Sequence, residues 1–214
     1  MCPTSPHPTA SPNVAGSLPT IGVLALQGDF REHIAVLTAL GANAVPVRRP
    51  AELAAVSGLV IPGGESSVMD KLSRLFGLAG PLKAAISDGL PVYGTCAGLI
   101  MLADRVLDSI DGQQTLGGFD VTVRRNAFGN QLDSFEVDLD VPSFGERPVH
   151  AVFIRAPVVE SAGHGVEVLA SLDDGRIVAI QSGNLLGTSF HPEITGETRF
   201  HERFITIVDA SLKG

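Results

Sequence analysis

A glycine-framed cysteine stands in Gly94-Thr95-Cys96-Ala97-Gly98, at the end of the apolar run 90–94 and at the head of an apolar helical stretch, 96–103. A strand that turns abruptly into a helix around a nucleophile needs small residues on both sides of it. The turn would present the sulfur at the carboxyl end of a sheet, where open α/β sheets take ligands, and at a helix N-terminus that favours thiolate. The chemistry of such a group is covalent, nucleophilic catalysis. A lone cysteine is more often a small buried apolar residue; the glycine frame after a strand is what points to a nucleophile.

Two other segments could complete that chemistry. His191-Pro192-Glu193 follows the strand-like run 185–189, and the proline favours an extended backbone before it, so imidazole and carboxylate can project to the same side. His191 would serve as general base to Cys96 while Glu193 fixes its tautomer and stabilises the imidazolium. Pro62-Gly63-Gly64-Glu65-Ser66-Ser67 lies between a strand and a helix, with glycine amides free to form an oxyanion hole. Taken alone, each segment also reads as an ordinary surface turn. Cys96, His191 and Glu193 are all metal-ligand types, but no second cysteine or paired histidine supplies the local spacing of a structural zinc site, so no metal is expected. His33 and His201 fall on helical stretches beside charged residues and are expected at the solvated surface.

The elements that must position these groups alternate. Apolar runs at 21–26, 44–47, 58–61 and 90–94 read as strands, and helical patterns fall between them: Ile34, Leu37 and Leu40 at helical spacing up to Gly41, then 50–55, 66–76 and 81–87. This alternation predicts an α/β fold with a mostly parallel central sheet covered on both faces. Beyond Asp104 come short strand-like pieces at 118–123, 134–139, 150–154, 166–170, 176–180 and 185–189, which predict some antiparallel pairing in the C-terminal half. A closing amphipathic helix at 197–212 places Phe200, Phe204, Ile207 and Val208 on one face.

With 214 residues and 44% hydrophobic composition, the chain is sized for one well-buried core. We expect a single domain at 20–214 preceded by a Pro-rich, disordered extension at 1–19 that lacks the marks of a secretory or transit signal. The formal charge of -8 and the absence of any basic run argue against nucleic acid as a partner. Apolar stretches fall short of the roughly 20 residues a bilayer span needs. Two cysteines, Cys2 and Cys96, make no disulfide framework, and a reducing cytoplasm is the expected setting.

Together these segments resemble the class I glutamine amidotransferases, and specifically the glutaminase subunits of two-component pyridoxal 5'-phosphate synthases. The resemblance rests on 22–28 (GVLALQG), Arg31-Glu32-His33, Pro62-Gly63-Gly64-Glu65-Ser66, Gly94-Thr95-Cys96-Ala97-Gly98-Leu99-Ile100, Arg125-Asn126-Ala127-Phe128-Gly129, Asp133-Ser134-Phe135-Glu136, 152–157 (VFIRAP) and 189–193 (SFHPE). It implies a flavodoxin-like three-layer sandwich and a Cys96-His191-Glu193 triad. It further implies glutamine contacts at Gly64, Glu65, Ser66, Arg125, Ile154 and Arg155, and an oxyanion hole from the amides of Gly64 and Ala97. Residues around 27–31 would lie near a docking face. The partner implied is a barrel-shaped synthase subunit that receives ammonia from L-glutamine; no cofactor is needed in this chain. Ile100 stands where many class I members have glutamine, which favours the pyridoxal branch. The rival readings are a glutaminase serving another pathway, of the imidazole glycerol phosphate type, and a catalytically silent flavodoxin-like module.

Overall fold

The computed structural model describes residues 19–127 and 134–213. The expected extension, with Cys2 and His7, lies outside the described residues except for Pro19, as do Phe128, Gly129 and Asp133 of the resemblance segments.

The first half alternates as the apolar pattern predicts. Strand β1 (Thr20–Leu24) leads to helix α1 (Phe30–Ala39), β2 (Asn43–Val47), the short α2 (Pro50–Leu53), β3 (Gly58–Ile61), α3 (Ser66–Leu75), α4 (Ala79–Ser87), β4 (Val92–Thr95) and α5 (Ala97–Leu102). The second half holds β5 (Ala103–Leu107), β6 (Phe119–Arg124), β7 (Ser134–Leu139), β8 (Val149–Ile154), β9 (Val158–Ala162), β10 (Glu167–Ser171), β11 (Ile177–Ser182), β12 (Leu185–Thr188), α6 (Pro192–Thr195) and α7 (Arg199–Ser211). Among the described residues, ten strands form one sheet in the order β2-β1-β3-β4-β12-β11-β9-β6-β5, with β10 on β11, and β7 pairs with β8 in a separate hairpin.

The run from β2 to β12 is parallel throughout, whereas β11 and β9 turn antiparallel. This is the mostly parallel, flavodoxin-like arrangement expected, with its antiparallel share in the C-terminal half. Three elements departed from expectation. Strand β5 is an exposed sheet edge of sequence ADRVL, where only Ala103 is buried, so no apolar run marks it. Strand β9 buries only its first two residues. Helix α6 begins at Pro192, where proline at the first helical position costs no hydrogen bond.

Two apolar layers flank the sheet. One contains Leu53, Met69, Leu82, Ile86 and Leu99 from α2 to α5 against Leu24, Ile61 and Val92. The other contains Leu37 of α1, the α7 residues Phe200, Phe204 and Val208, and the β7–β8 hairpin. Each fully buried phenylalanine of α7 stabilises the layer by about 1.5 to 3 kcal/mol, which anchors the helix that closes the chain. Ile207, predicted on the same face, is only partly buried against that layer.

Parallel order has a functional consequence. Strands β1, β3, β4 and β12 lie side by side, so the segments leaving their carboxyl ends meet in one place: Gln27-Gly28, 62–66, Cys96 and 189–193. The strand order also reverses between β1 and β3, the kind of switch point where such sheets open a crevice.

Candidate active site

The backbone around Cys96 is a strained elbow. Cys96 adopts φ 48° and ψ -102°, a left-handed conformation that costs a non-glycine residue on the order of 1–3 kcal/mol. The strain is held by close packing of its neighbours. A Cβ on Gly94 would come within 2.6 Å of the Gly98 carbonyl, and one on Gly98 would collide with the Ile61 carbonyl oxygen. Glycine is required at both positions because the obstructing atoms are backbone. Register with the next strand completes the placement: Thr95 pairs with Thr188, and Cys96 N–H donates to the Thr188 carbonyl at 2.8 Å. The sulfur and His191 therefore leave adjacent parallel strands at the same level.

His191 caps α6 in a non-helical conformation, with Glu193 inside its first turn. The His191 Nδ1 to Glu193 Oε1 distance is 2.8 Å, and both residues are buried. On its other side the imidazole interacts with Cys96, whose sulfur also lies 4.0 Å from the Ile154 carbonyl oxygen. Burial pulls the His191 pKa down, but the hydrogen bonds to Cys96 and Glu193 and their negative charge win, lifting it to about 10. An imidazolium paired with sulfur on one face and carboxylate on the other is the geometry of an activated thiol. Asp29 also approaches, its carboxylate 3.7 Å from His191 Nδ1.

The glycine loop before α3 packs directly on this histidine. A Cβ on Gly63 would strike the His191 ring, and Gly64 sits at φ 137°, a conformation open to glycine and strained for other residues. Gln27 clamps the loop: its amide donates to the Glu65 carbonyl at 3.2 Å and accepts from Glu65 N–H at 3.3 Å. Ala97 is the first residue of α5, so its N–H has no acceptor within that helix.

Above Cys96 opens a cavity of about 280 Å³. Gly64, Glu65, Ser66, Arg125, Ile154 and Arg155 all line it together with Cys96 and His191. Glu193 and Ala97 lie outside the lining, Glu193 behind the histidine. Within the cavity, Arg125 is already engaged: it donates to Glu65 Oε1 at 2.7 Å and to Gln113 Oε1 at 2.8 Å. Gln113 in turn donates to Ser66 Oγ at 3.0 Å. Gln113 and Gln27 both brace the site; Gln27 falls in the resemblance segment 22–28 without this role being expected of it, and no motif marks Gln113. Arg155, at φ 45°, stands exposed at the rim, and Ile100 lines the pocket.

The two histidines expected at the surface are fully buried. The charged neighbours Arg31, Glu32, Glu202 and Arg203 misled the expectation, because they occupy other faces of α1 and α7 than the histidines do. His33 Nδ1 lies 2.9 Å from His201 Nε2. Burial holds His201 down to about 4 and His33 well below 6.5, with the charge of His201 and then His191 adding to the effect on His33.

A pH dependence follows. The unfolded chain protonates these histidines near pH 6.5 and the folded protein resists, so the stabilisation they give is present above pH 6.5 and is lost as pH falls towards 4. His201 alone accounts for about 3 kcal/mol across that interval. Urea midpoints should fall steeply between pH 6.5 and 4.5 in the wild type. His201→Phe should flatten that slope; an unchanged slope would refute the assignment. His191 acts oppositely: its pKa is raised, so its contribution is present below 6.5 and declines as pH rises towards 10.

Comparison with known proteins bears on the whole chain. The profile of the SNO glutamine amidotransferase family matches residues 23–210. Among relatives, pyridoxal 5'-phosphate synthase subunit PdxT of Clavibacter michiganensis subsp. michiganensis is 66% identical over 194 residues, covering 91% of this chain and 93% of the relative. The PdxT subunit of Streptomyces coelicolor is 59% identical, covering 90% and 95%. A crystal structure of a glutamine amidotransferase superposes with a TM-score of 0.82 at 44% identity, covering 88% of this chain and 98% of that one. The chain belongs to the SNO glutamine amidotransferase family.

Proposed function

We propose that this chain hydrolyses L-glutamine at Cys96 and supplies the ammonia to a separate synthase subunit that makes pyridoxal 5'-phosphate. The observation that carries the reading is the buried, hydrogen-bonded pair His191 and Glu193 beside Cys96, with Cys96 and His191 in the wall of one cavity lined by two arginines. Family membership and the PdxT name borne by its relatives support the pathway.

The thiolate attacks the side-chain amide carbon of glutamine. The tetrahedral oxyanion is stabilised by the N–H groups of Gly64 and Ala97; one such donor is worth about 2.7 to 4 kcal/mol to the transition state. His191 passes its proton to the departing nitrogen, ammonia leaves, and a glutamyl thioester remains on Cys96. Water then attacks the thioester with His191 taking its proton, releasing glutamate and restoring the thiolate-imidazolium pair. Arg155 offers its planar guanidinium to the substrate α-carboxylate, while Arg125 orients Glu65. Gly64, Glu65, Ser66 and Ile154 shape the rest of the pocket.

Exposed Ile154 and Ile194 at the cavity mouth suit a partner that covers the site and keeps ammonia from bulk water. Among the described residues no helix is long and apolar enough to cross a membrane. We assign residues 20–214 to the catalytic unit, 1–19 to an extension outside it, and the activity to the cytoplasm. The test is glutamate release from glutamine by the purified chain, alone and with the synthase barrel subunit. Release that appears or rises sharply with the barrel supports the reading; release indifferent to the barrel would overturn the pathway assignment.

A further inference from the structure

Three buried polar side chains beside the triad have no part in the chemistry above: His33 of α1, Thr95 at the end of β4 and His201 of α7. His33 Nε2 lies 3.1 Å from Thr95 Oγ1 and 3.5 Å from Glu193 Oε1. Its Nδ1 meets His201 Nε2 at 2.9 Å. Tyr93 packs edge-on against both rings. The cluster thus joins the residue before the nucleophile to the carboxylate of the triad.

Proton positions follow from what is satisfied. His201 Nδ1 has no hydrogen-bond partner. With the His201 proton on Nε2, only a lone pair is left unpaired, which costs less than a buried N–H without an acceptor. His201 Nε2–H therefore donates to His33 Nδ1. His33 must then carry its own proton on Nε2, hydrogen-bonded to Thr95 Oγ1, with the near oxygen of Glu193 at 3.5 Å from the same nitrogen. Burial keeps both rings neutral, so this tautomer is stable at neutral pH.

Glu193 depends on it. Its Oε2 has no hydrogen-bond partner, and its Oε1 takes His191 Nδ1 at 2.8 Å. Among the described residues, His33 is the remaining polar side chain in contact with that carboxylate. Without His33, the carboxylate would be buried with the single partner it is meant to orient.

We propose that His33 is a positioning residue of the glutaminase reaction: with its tautomer fixed by His201, it holds the Glu193 carboxylate and Thr95 so that His191 faces Cys96. The proposal rests on the glutaminase reading, and wild-type activity in the same assay separates the two. A wild type without glutaminase activity in the presence of the barrel subunit would sink the reading itself, and the proposal with it.

The experiment compares His33→Asn with His33→Gln in the complex with the synthase barrel. Asparagine places an amide near the Nδ1 position, keeping a partner for His201 but falling short of Thr95 and Glu193. Glutamine reaches the Nε2 position with an N–H donor. We expect kcat to fall about 10- to 100-fold in His33→Asn, the scale on which small misplacement of a catalytic group is felt. KM for glutamine should stay within about threefold of wild type, and His33→Gln should recover most of the lost kcat.

A second readout needs no turnover. The rate of Cys96 alkylation by iodoacetamide reports how well His191 activates the sulfur, and should drop several-fold in His33→Asn but not in His33→Gln. Wild-type kcat in His33→Asn would overturn the proposal. So would equal losses in both variants accompanied by equal losses of Tm, which would show that His33 serves packing alone.

Discussion

Cys96→Ala should reduce glutamate release by a factor on the order of 10⁴ or more, the scale seen when a nucleophile is removed from a triad. The fold should survive. The substitution removes one sulfur from the floor of an open cavity, and alanine tolerates the φ of 48° no worse than cysteine does. Folding stability near neutral pH is expected to change by about 1 kcal/mol. The alkaline side of the stability profile should change more. Cys96 is part of what lifts His191 to about 10, so without the sulfur the His191 contribution is lost at lower pH. Measured kcat within tenfold of wild type would remove Cys96 from the nucleophile's role.

Glu193→Gln should cost kcat about 10² to 10⁴-fold with little change in KM. The side chain is nearly isosteric and fully buried, so packing is conserved, but the negative charge behind His191 disappears. Two losses follow. The imidazolium that faces the sulfur is no longer stabilised, and the amide can present N–H to Nδ1, which forces the wrong tautomer. Burial, already the largest influence on His191, then draws its pKa down, so the pH profile of kcat/KM should move together with the rate. A loss confined to KM would mean that Glu193 serves substrate binding and not the triad.

These two results concern residues that were legible from spacing alone. Cys96 stood out because glycine at 94 and 98 marks an elbow, and the structure shows the backbone approaches that make glycine necessary. The sheet was legible because its central strands are continuously apolar: β3 and β4 are buried at every residue. Edge strand β5, with Asp104 and Arg105 exposed, carries no such signal.

Long-range polar contacts were the least legible. Arg125, Ile154 and Arg155 came only from resemblance, since nothing local announces that β6 and β8 end at the cavity of Cys96. Gln113 lies in a turn 47 residues from Ser66, which it braces, and 12 from Arg125. The His33–His201 contact spans 168 residues between two amphipathic helices. A histidine flanked by charges reads as solvated in one dimension; its burial is decided by which face of the helix the fold presents to the sheet.

The most direct test of the account is covalent capture with an electrophilic glutamine analogue, followed by mass mapping of the modified peptide. Two cysteines are available, Cys2 and Cys96. One adduct is expected, on Cys96, slowed by excess glutamine and absent from Cys96→Ala. Labelling of Cys2, or labelling of Cys96 that glutamine does not slow, would contradict the claim that this cavity is where glutamine is bound and cleaved.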